Sequence, residues 1–319
     1  MIRPFWNSIE SRLRALWRMI LQTIILIISV SILVTVMIRI FSIFSFVQSQ
    51  IFNLLLTPVA TLIGMTISMW LAGRWLDRRP FADFGFHFNR RWWKNFTFGL
   101  VLGAGLMLVI FMVELAAGWV TIAGFFFSGT EGVSFIPAIC SSVVLFVCVG
   151  FYEEMWTRGY LLRNMAEGFN FKSIGPRAAL LLAYLISSSF FGLLHASNPN
   201  ATAISTFLIG VAGLFLGLGF LLTGELAIPI GIHITWNFFE GNVFGFGVSG
   251  TTPPGTFIQI NQTGPTLWTG GAFGPEAGLF GLAALILGSI AIYLWVKADQ
   301  KTAFLQTRLA QYSSTKIIN

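Results

Sequence analysis

Charged residues are scarce in this sequence. They make up 10% of its 319 residues, whereas hydrophobic residues make up 55%, and the mean hydropathy is +0.79. A soluble domain carries about 25% charged residues, which cover its water-facing surface. The scarcity of charge therefore excludes an ordinary soluble domain and indicates a polytopic membrane protein.

Cysteine is also nearly absent. The two cysteines, Cys140 and Cys148, lie in one apolar run. On a helix their spacing corresponds to about 12 Å, which is too long for a disulfide bond. We predict that both are small packing residues, and they carry no information about the redox compartment.

Acidic residues are fewer than basic ones, with 12 against 19 and a formal net charge of +7. In a soluble protein this excess would suggest nucleic-acid binding. Here the basic residues flank apolar runs, as they do on the cytoplasmic side of membrane proteins. We therefore predict contact with a lipid bilayer and no nucleic-acid partner.

The sequence contains several long runs of apolar residues. Each is long enough for a membrane-spanning helix, and together they predict an all-α fold of about eight transmembrane helices in a single membrane domain, residues 1–319. The predicted spans are 17–38, 51–72, 97–120, 135–160, 178–197, 203–223, 226–246 and 277–296. The Gly-, Thr- and Pro-rich segment 241–274 is too polar to span and is expected to be an exposed outer loop.

Basic residues alternate between the predicted loops. They are dense at 74–94 and 158–177 and in the tail 297–319, whereas 121–134 and 240–276 contain no Lys or Arg. Because Lys and Arg in short loops stay in the cytoplasm, both termini are predicted to be cytoplasmic. The segment 1–16 and the tail 297–319 would then lie inside, and the chain would be a multi-pass protein, with a bacterial cell membrane as the expected location.

Three of the apolar runs contain polar side chains that hydrocarbon cannot satisfy. The fourth run ends in Glu153 and Glu154 followed by Arg158, which shares a helix face with Glu154. An ion pair at the end of the span would explain Glu154 and Arg158, but it leaves Glu153 without a local partner. A carboxylate in low dielectric without a partner has a raised pKa, which suits a general base.

The other two runs contain histidine. His195 follows Phe191 by one helical turn, and a lone histidine at a helix end is ordinarily a capping or packing residue. His233 and Asn237 are also one turn apart and so face the same way. Polar side chains on an apolar helix are expected to turn inward, towards an intramembrane cavity.

In chain order, these spans supply Glu-Glu-x-x-x-Arg, Phe-x-x-x-His and His-x-x-x-Asn. The set resembles the CPBP family of intramembrane proteases, which includes the CAAX prenyl proteases of the Ras-converting type and bacterial immunity-associated (Abi-like) relatives. The resemblance covers roughly residues 135–246. It implies an endopeptidase that hydrolyses a peptide bond in or beside the bilayer. The substrate would be a membrane-associated or membrane-anchored protein or peptide, and CAAX-type protein processing is one possible reaction.

The resemblance also implies a role for each residue of the motifs. Glu153 and His195 would hold and deprotonate the attacking water, and His233 and Asn237 would stabilise the oxyanion of the tetrahedral intermediate. The supporting residues, which would orient the site or bind the substrate backbone, are Glu154, Arg158 and Phe191.

Whether the water is bound to a metal is left open by the sequence. Zinc accepts His and Glu ligands, so a zinc ion held by Glu153, His195 and His233 is one alternative. A carboxylate–histidine pair suffices for general-base chemistry without a metal. We favour this version, in which no cofactor is expected.

Other protease classes lack their motifs in this sequence. There is no H-E-x-x-H for a zincin and no Gly-x-Gly-Asp for an aspartyl protease. The run Gly247-Val-Ser-Gly250 has the letters of a rhomboid motif, but Ser249 lies in a polar loop and follows every histidine. We interpret Ser249 as unrelated to catalysis.

Two alternatives from other functional classes remain. Intramembrane Glu, His and Arg could form the proton relay of a proton- or solute-coupled transporter, although no inverted repeat is visible. The chain could also be a non-catalytic immunity-type membrane scaffold. The complete motifs count against the scaffold.

The predicted spans place His195 and Glu153 at different depths. Glu153 lies towards the cytoplasmic end of its span, and His195 lies at the far end of the next one. The site can assemble only if the fourth span continues towards Gly168 or if the fifth begins below the interface.

Overall fold

The computed structural model of the chain describes residues 4–43 and 49–312. Within these ranges, seven helices have the length and the apolar composition needed to cross a membrane. They are Ala15–Ser42, Gln50–Asp77, Arg90–Ala116, Phe135–Phe169, Gly175–Leu194, Ala203–Thr223 and Leu279–Gln300. The protein is an integral membrane protein with an all-α membrane bundle, as predicted.

The described residues form ten α-helices, which are numbered in chain order. They are α1 Ala15–Ser42, α2 Gln50–Ala72, α3 Arg90–Ala116, α4 Phe135–Glu154, α5 Arg163–Phe169, α6 Gly175–Leu194, α7 Ala203–Thr223, α8 Ala227–Asn237, α9 Thr266–Thr269 and α10 Leu279–Gln300. The predicted N-terminal segment and tail fall partly outside the described residues, at 1–3 and 313–319.

The spans expose apolar side chains, as helices in lipid do. On α1, Ile24, Ile28 and Ile32 are exposed, whereas Arg18 and Gln22 are buried. This is the reverse of a soluble helix, which buries apolar residues and exposes charges. The outward apolar face is therefore suited to contact with lipid chains.

The predicted seventh span is shorter than expected. It consists of the 11-residue helix α8 and a π-helical turn, Phe238–Val243. Nearly all of α8 is buried, and its backbone packs closely on α3 because a Cβ at Gly231 would lie 2.4 Å from the carbonyl oxygen of Phe96. Small residues permit such close approach, so α8 is an internal helix of the bundle.

The fourth span is longer than predicted. The π-helix Met155–Leu162 joins α4 to α5, which gives one continuous helix of 35 residues, Phe135–Phe169. At 1.5 Å per residue this helix is about 50 Å long, and Glu153 lies near its middle. The continuation towards Gly168, which site assembly required, is therefore present.

The segments expected to be loops on the outer side form a sheet. Strand β3 (Val120–Ser128) pairs antiparallel with β4 (Gly255–Gln262), from Val120 with Gln262 to Ser128 with Gly255, and the register shifts once between Ile122 and Gly124. A short hairpin of β1 (Trp6–Asn7) and β2 (Arg12–Leu13) precedes α1. Within 241–274, the residues 255–262 form a strand and 241–242 and 273–274 are buried, whereas 251–252 and 265–268 are exposed. The segment does not span, as predicted, but the prediction that it is an exposed loop throughout was wrong. Strand pairing satisfies its backbone groups, and its apolar side chains pack against the helices.

A group of charged side chains, here called the terminal cluster, is buried near the ends of α2 and α5. The Glu167 carboxylate lies 2.8 Å from Arg12 Nη2 and 3.0 Å from Arg18 Nη2, and it also accepts a hydrogen bond from Arg79. Asp77 Oδ1 lies 3.2 Å from Arg18 Nε. Each carboxylate of this cluster is therefore paired with at least one guanidinium.

Candidate functional site

Glu154 and His233 join the long helix to α8 at the centre of the bundle. His233 Nδ1 lies 2.9 Å from Glu154 Oε1, and Arg158 Nη1 donates to the same oxygen at 2.9 Å. Glu154 is completely buried, and His233 is 6% exposed. The carboxylate therefore orients the His233 ring and is itself balanced by Arg158.

Arg158 is held by contacts with two further helices. Its Nη2 donates to the carbonyl oxygen of Gly213 on α7 at 3.0 Å, and its guanidinium carbon lies 4.4 Å from the ring centroid of Phe191 on α6. Arginine stacks readily on aromatic faces while it donates at its edges. Arg158 thus ties together the elements that carry the polar residues of the site.

Glu153 has a different environment from its neighbour Glu154. Its side chain is 24% exposed, and its Oε2 lies 3.8 Å from His233 Nε2. That oxygen is buried and has no hydrogen-bond partner within the described part of the chain. The Glu153 carboxylate therefore keeps acceptor capacity that the protein does not use.

His195 follows the last residue of α6, and its ring position is defined by a backbone contact. Its Nδ1 lies 2.9 Å from the carbonyl oxygen of Phe191. A carbonyl oxygen can only accept, so Nδ1 carries the proton, and Nε2 of the neutral ring is left as an acceptor. The Phe191 ring lies 4.8 Å from the ring of His195 and 6.1 Å from that of His233, centroid to centroid.

A narrow cavity runs alongside these residues. His195, His233 and Asn237 line it together with Ser249 and Glu276, and it has about 30 Å³ that water can occupy. This is about the volume of one water molecule in the liquid. The cavity is thus lined by hydrogen-bonding side chains from several parts of the chain.

Asn237 lines this cavity, and its side-chain amide is free to form hydrogen bonds there. It is 8% exposed, and among the described residues its side-chain amide makes no hydrogen bond. Buried amides are ordinarily satisfied, so the Asn237 side chain is available to a group that enters the cavity.

Several residues predicted for the site lie together, but one predicted pair does not touch. Glu154, Arg158, Phe191 and His233 are in mutual contact. In the described ranges, no carboxylate oxygen lies within 4.0 Å of a His195 nitrogen. A water molecule or a substrate group would therefore have to bridge Glu153 and His195.

Sequence reasoning missed two residues of the cavity. Ser249, interpreted above as unrelated to catalysis, lines the cavity and donates from Oγ to Glu276 Oε1 at 2.7 Å. Glu276 is only 5% exposed, and burial raises the pKa of its carboxyl above the ordinary value. The available signal was a lone acidic residue at the end of a long segment without Lys or Arg.

The arrangement of these side chains does not fit a zinc site. Zinc is held by three or more protein ligands at about 2.0–2.3 Å. Among the described residues, no group of three or more His, Cys, Asp or Glu is arranged to hold a metal ion. Nδ1 of His195 and of His233 are engaged by Phe191 and Glu154, so each ring could bind a metal only through Nε2. Among the described residues, the Glu153 carboxylate comes no closer than 3.8 Å to His233 Nε2 and lies more than 4.0 Å from the His195 nitrogens.

Known proteins resemble the chain over part of its length. The uncharacterized protein YyaK of Bacillus subtilis (strain 168) is 25% identical over 178 residues, which are 54% of this chain and 54% of the relative. The chain thus spans about half the length of the curated relative that it matches. No solved structure matches the chain.

The match to a family model falls on the helices that carry the polar residues. It covers residues 135–239 and is described as type II CAAX prenyl endopeptidase Rce1-like. This range begins with α4, ends just after α8 and contains all three motifs. The resemblance to the CAAX prenyl proteases is therefore confirmed for residues 135–239, the segment that positions the candidate site.

Proposed function

We propose that the protein is an intramembrane endopeptidase that hydrolyses a peptide bond of a membrane-associated protein or peptide with an activated water molecule. The match of residues 135–239 to the type II CAAX prenyl endopeptidase family supports this reaction class. The observation that carries the mechanism is a buried polar site with unused acceptors on Glu153 and unused donors on Asn237.

In the proposed mechanism, Glu153 is the general base. Its unpaired carboxylate and the free Nε2 of His195 are both acceptors, so a water molecule bridging them would donate one proton to each. Glu153 removes one proton while the water oxygen forms a bond to the carbonyl carbon of the substrate. A carboxylate with one unsatisfied buried oxygen is suited to this role.

The oxyanion that forms is stabilised from α8. His233 and Asn237 are one helical turn apart and line the same cavity. Asn237 donates from its side-chain amide. His233, whose Nδ1 proton is donated to Glu154, donates from Nε2 as the doubly protonated ring. Donors that are positioned before the reaction stabilise developing charge most effectively. When the intermediate collapses, the carbon–nitrogen bond breaks, and the proton held by Glu153 passes to the leaving amine.

Glu154 and Arg158 are positioning residues in this proposal. Glu154 accepts from His233 Nδ1 and holds the ring so that Nε2 faces the side of Glu153. Arg158 balances the charge of Glu154. A carboxylate that orients a histidine in this way acts through that histidine and does not touch the substrate.

We further propose that the reaction needs no metal, since the side-chain arrangement lacks a three-ligand group among the described residues. The expected result is full activity after prolonged dialysis against a chelator, with less than 0.1 equivalent of zinc in the purified protein (roughly the level of adventitious binding). Activity that disappears with the chelator and returns with stoichiometric zinc would contradict this.

We also propose that both chain termini lie on the cytoplasmic side, from the distribution of Lys and Arg between the loops. Single cysteines introduced at residues 131 and 301, in a background without Cys140 and Cys148, test this orientation. In intact cells a membrane-impermeant maleimide should label position 131 and spare position 301. The reverse pattern would contradict the proposal.

The activity and the substrate can be tested together by trapping. Membranes containing Glu153→Gln should retain uncut proteins that wild-type membranes process, and these can be identified by mass spectrometry. The matched control is Glu131→Gln, because Glu131 is an exposed glutamate in a turn and does not line the cavity. A farnesylated CAAX peptide and its unprenylated counterpart then determine whether the lipid is needed.

Three results are distinguishable in this experiment. Cleavage by wild-type and Glu131→Gln protein, but not by Glu153→Gln, supports the proposal. Equal cleavage by all three assigns the reaction to another residue. A transport defect without any cleavage difference would favour the transporter alternative.

A further inference from the structure

Glu276 brings a carboxyl group to the cavity from outside the family-matched segment. It lies in a short turn, Pro275–Ala277, directly before α10. Its Oε1 accepts hydrogen bonds from Ser249 N at 2.6 Å and from Ser249 Oγ at 2.7 Å. Both residues line the cavity together with His195 and Asn237.

The position of this carboxyl group is defined by the fold around it. The side-chain amide of Asn198 donates to the carbonyl oxygen of Ser249 at 2.9 Å, and Gly250 N donates to the carbonyl oxygen of Phe273 at 2.7 Å. Asn198 belongs to the same turn as His195. The acceptor on Glu276 is therefore held relative to the histidine, as a binding residue must be.

The cavity offers donors and an acceptor from different elements. Asn237, buried and without a partner among the described residues, is on α8, whereas Glu276 is on the turn before α10. A trans peptide group presents its C=O and its N–H on opposite sides. A site that binds such a group needs donors for the oxygen and, elsewhere, an acceptor for the nitrogen.

The Glu276 carboxyl group has an acceptor that the fold leaves unused. Both hydrogen bonds that it accepts within the described residues fall on Oε1, so Oε2 is left as an acceptor. Residues 241–275 contain no Lys or Arg that could serve as an internal partner for Glu276. The unused capacity of this carboxyl group is therefore best matched by an amide N–H.

We propose that Glu276 is a substrate-binding residue that accepts a hydrogen bond from a backbone N–H next to the scissile bond, while α8 binds the carbonyl oxygen. This inference rests on the proposed endopeptidase function and extends it to a residue that no motif identifies. Glu276 then helps to place the peptide carbonyl against the donors on α8.

The test is a methyl scan of a substrate crossed with variants of the enzyme. The probes are a peptide that the wild-type protein cleaves and analogues N-methylated at single non-scissile amides on either side of the cleaved bond. At one position, methylation should lower wild-type kcat/KM about tenfold, the value for one hydrogen bond to a charged acceptor. Glu276→Ala should lower kcat/KM for the unmethylated peptide by a similar factor and be insensitive to methylation at that position.

Two further variants distinguish loss of the Glu276 acceptor from a general disturbance of the fold. Ser249→Ala removes a donor to Glu276 but keeps the acceptor, so it should retain the sensitivity to methylation. If Glu276→Ala does not fold, Glu276→Gln replaces it. Its neutral acceptor should reduce the sensitivity to about threefold, since bonds to neutral groups are weaker.

The outcomes separate this inference from the proposed function. Equal sensitivity to methylation in wild-type protein and in the Glu276 variants at every position would overturn the inference, while Glu153-dependent cleavage would leave the function intact. Absence of any Glu153-dependent cleavage would overturn both.

Discussion

Two groups of buried charged residues each contain a glutamate from the same long helix, and the two glutamates differ in how their carboxylate oxygens are paired. In the terminal cluster, both oxygens of Glu167 have guanidinium partners. In the candidate site, Glu153 keeps a buried oxygen without a partner among the described residues. Both glutamates belong to the continuous helix Phe135–Phe169.

The difference indicates what each group does. A buried charge that is fully paired contributes to a defined structure, and removal of one partner is strongly destabilising. A buried polar group without a partner is costly and persists where it has a function. The comparison therefore assigns a structural role to the Glu167 carboxylate and a chemical role to the Glu153 carboxylate.

The largest expected effect is that of Glu153→Gln on catalysis. The amide cannot accept a proton from water, so kcat/KM should fall by about 10³-fold, within the range of general-base catalysis. Because the one ion-pair contact of Glu153 within the described residues is a long one, 3.8 Å to His233 Nε2, the free energy of unfolding should change by less than about 1 kcal/mol. Peptide cleavage and denaturant unfolding in detergent measure the two quantities.

The matched change in the terminal cluster is Glu167→Gln. It leaves the buried guanidinium groups of Arg12, Arg18 and Arg79 without their shared carboxylate, and it should cost about 3–5 kcal/mol of stability. The kcat/KM of the remaining folded protein should match that of wild type. If Glu167→Gln had wild-type stability but lost its activity, the structural role assigned to Glu167 would be wrong.

Asn237→Ala is expected to have a somewhat smaller catalytic effect. Loss of one oxyanion donor lowers kcat by about 10²–10³-fold, with KM little changed. The control is Asn242→Ala, because Asn242 is buried nearby but donates to Ser142 Oγ at 2.9 Å. The control should lower stability more than activity, and equal loss of kcat in both variants would argue against an oxyanion role.

Glu154→Gln should have the smallest catalytic effect of the three changes within the candidate site. The amide oxygen can still accept from His233 Nδ1, but the charge that balances Arg158 is lost. Residues that orient a histidine contribute about 10–100-fold, and kcat should carry this loss. A loss as large as that of Glu153→Gln would mean that Glu154 is itself the base.

The sequence predicted the membrane helices well because each apolar run is a local signal. It placed the end of the fourth span too early, since the helix continues through Arg163 and Glu167, which have partners in the distant segment around Asp83 and Arg79. It also overestimated the span at 226–246, because burial in protein and burial in lipid favour the same residues.

The candidate site was only partly predictable from the sequence. The spacing of Glu153 to Arg158 and of His233 to Asn237 is a helical pattern, so those residues could be found. Glu276 and Ser249 reach the cavity through a turn and a sheet-bearing segment that have no such period. Their contribution depends on tertiary contacts that no local pattern contains.

The most direct test of the account is the density between Glu153 and His195 in a high-resolution experimental structure of the protein in lipid. The account predicts a single water molecule within about 3.2 Å of a Glu153 carboxylate oxygen and of His195 Nε2. A metal ion with three protein ligands at that position would contradict it, as would a packed side chain that separates the two residues.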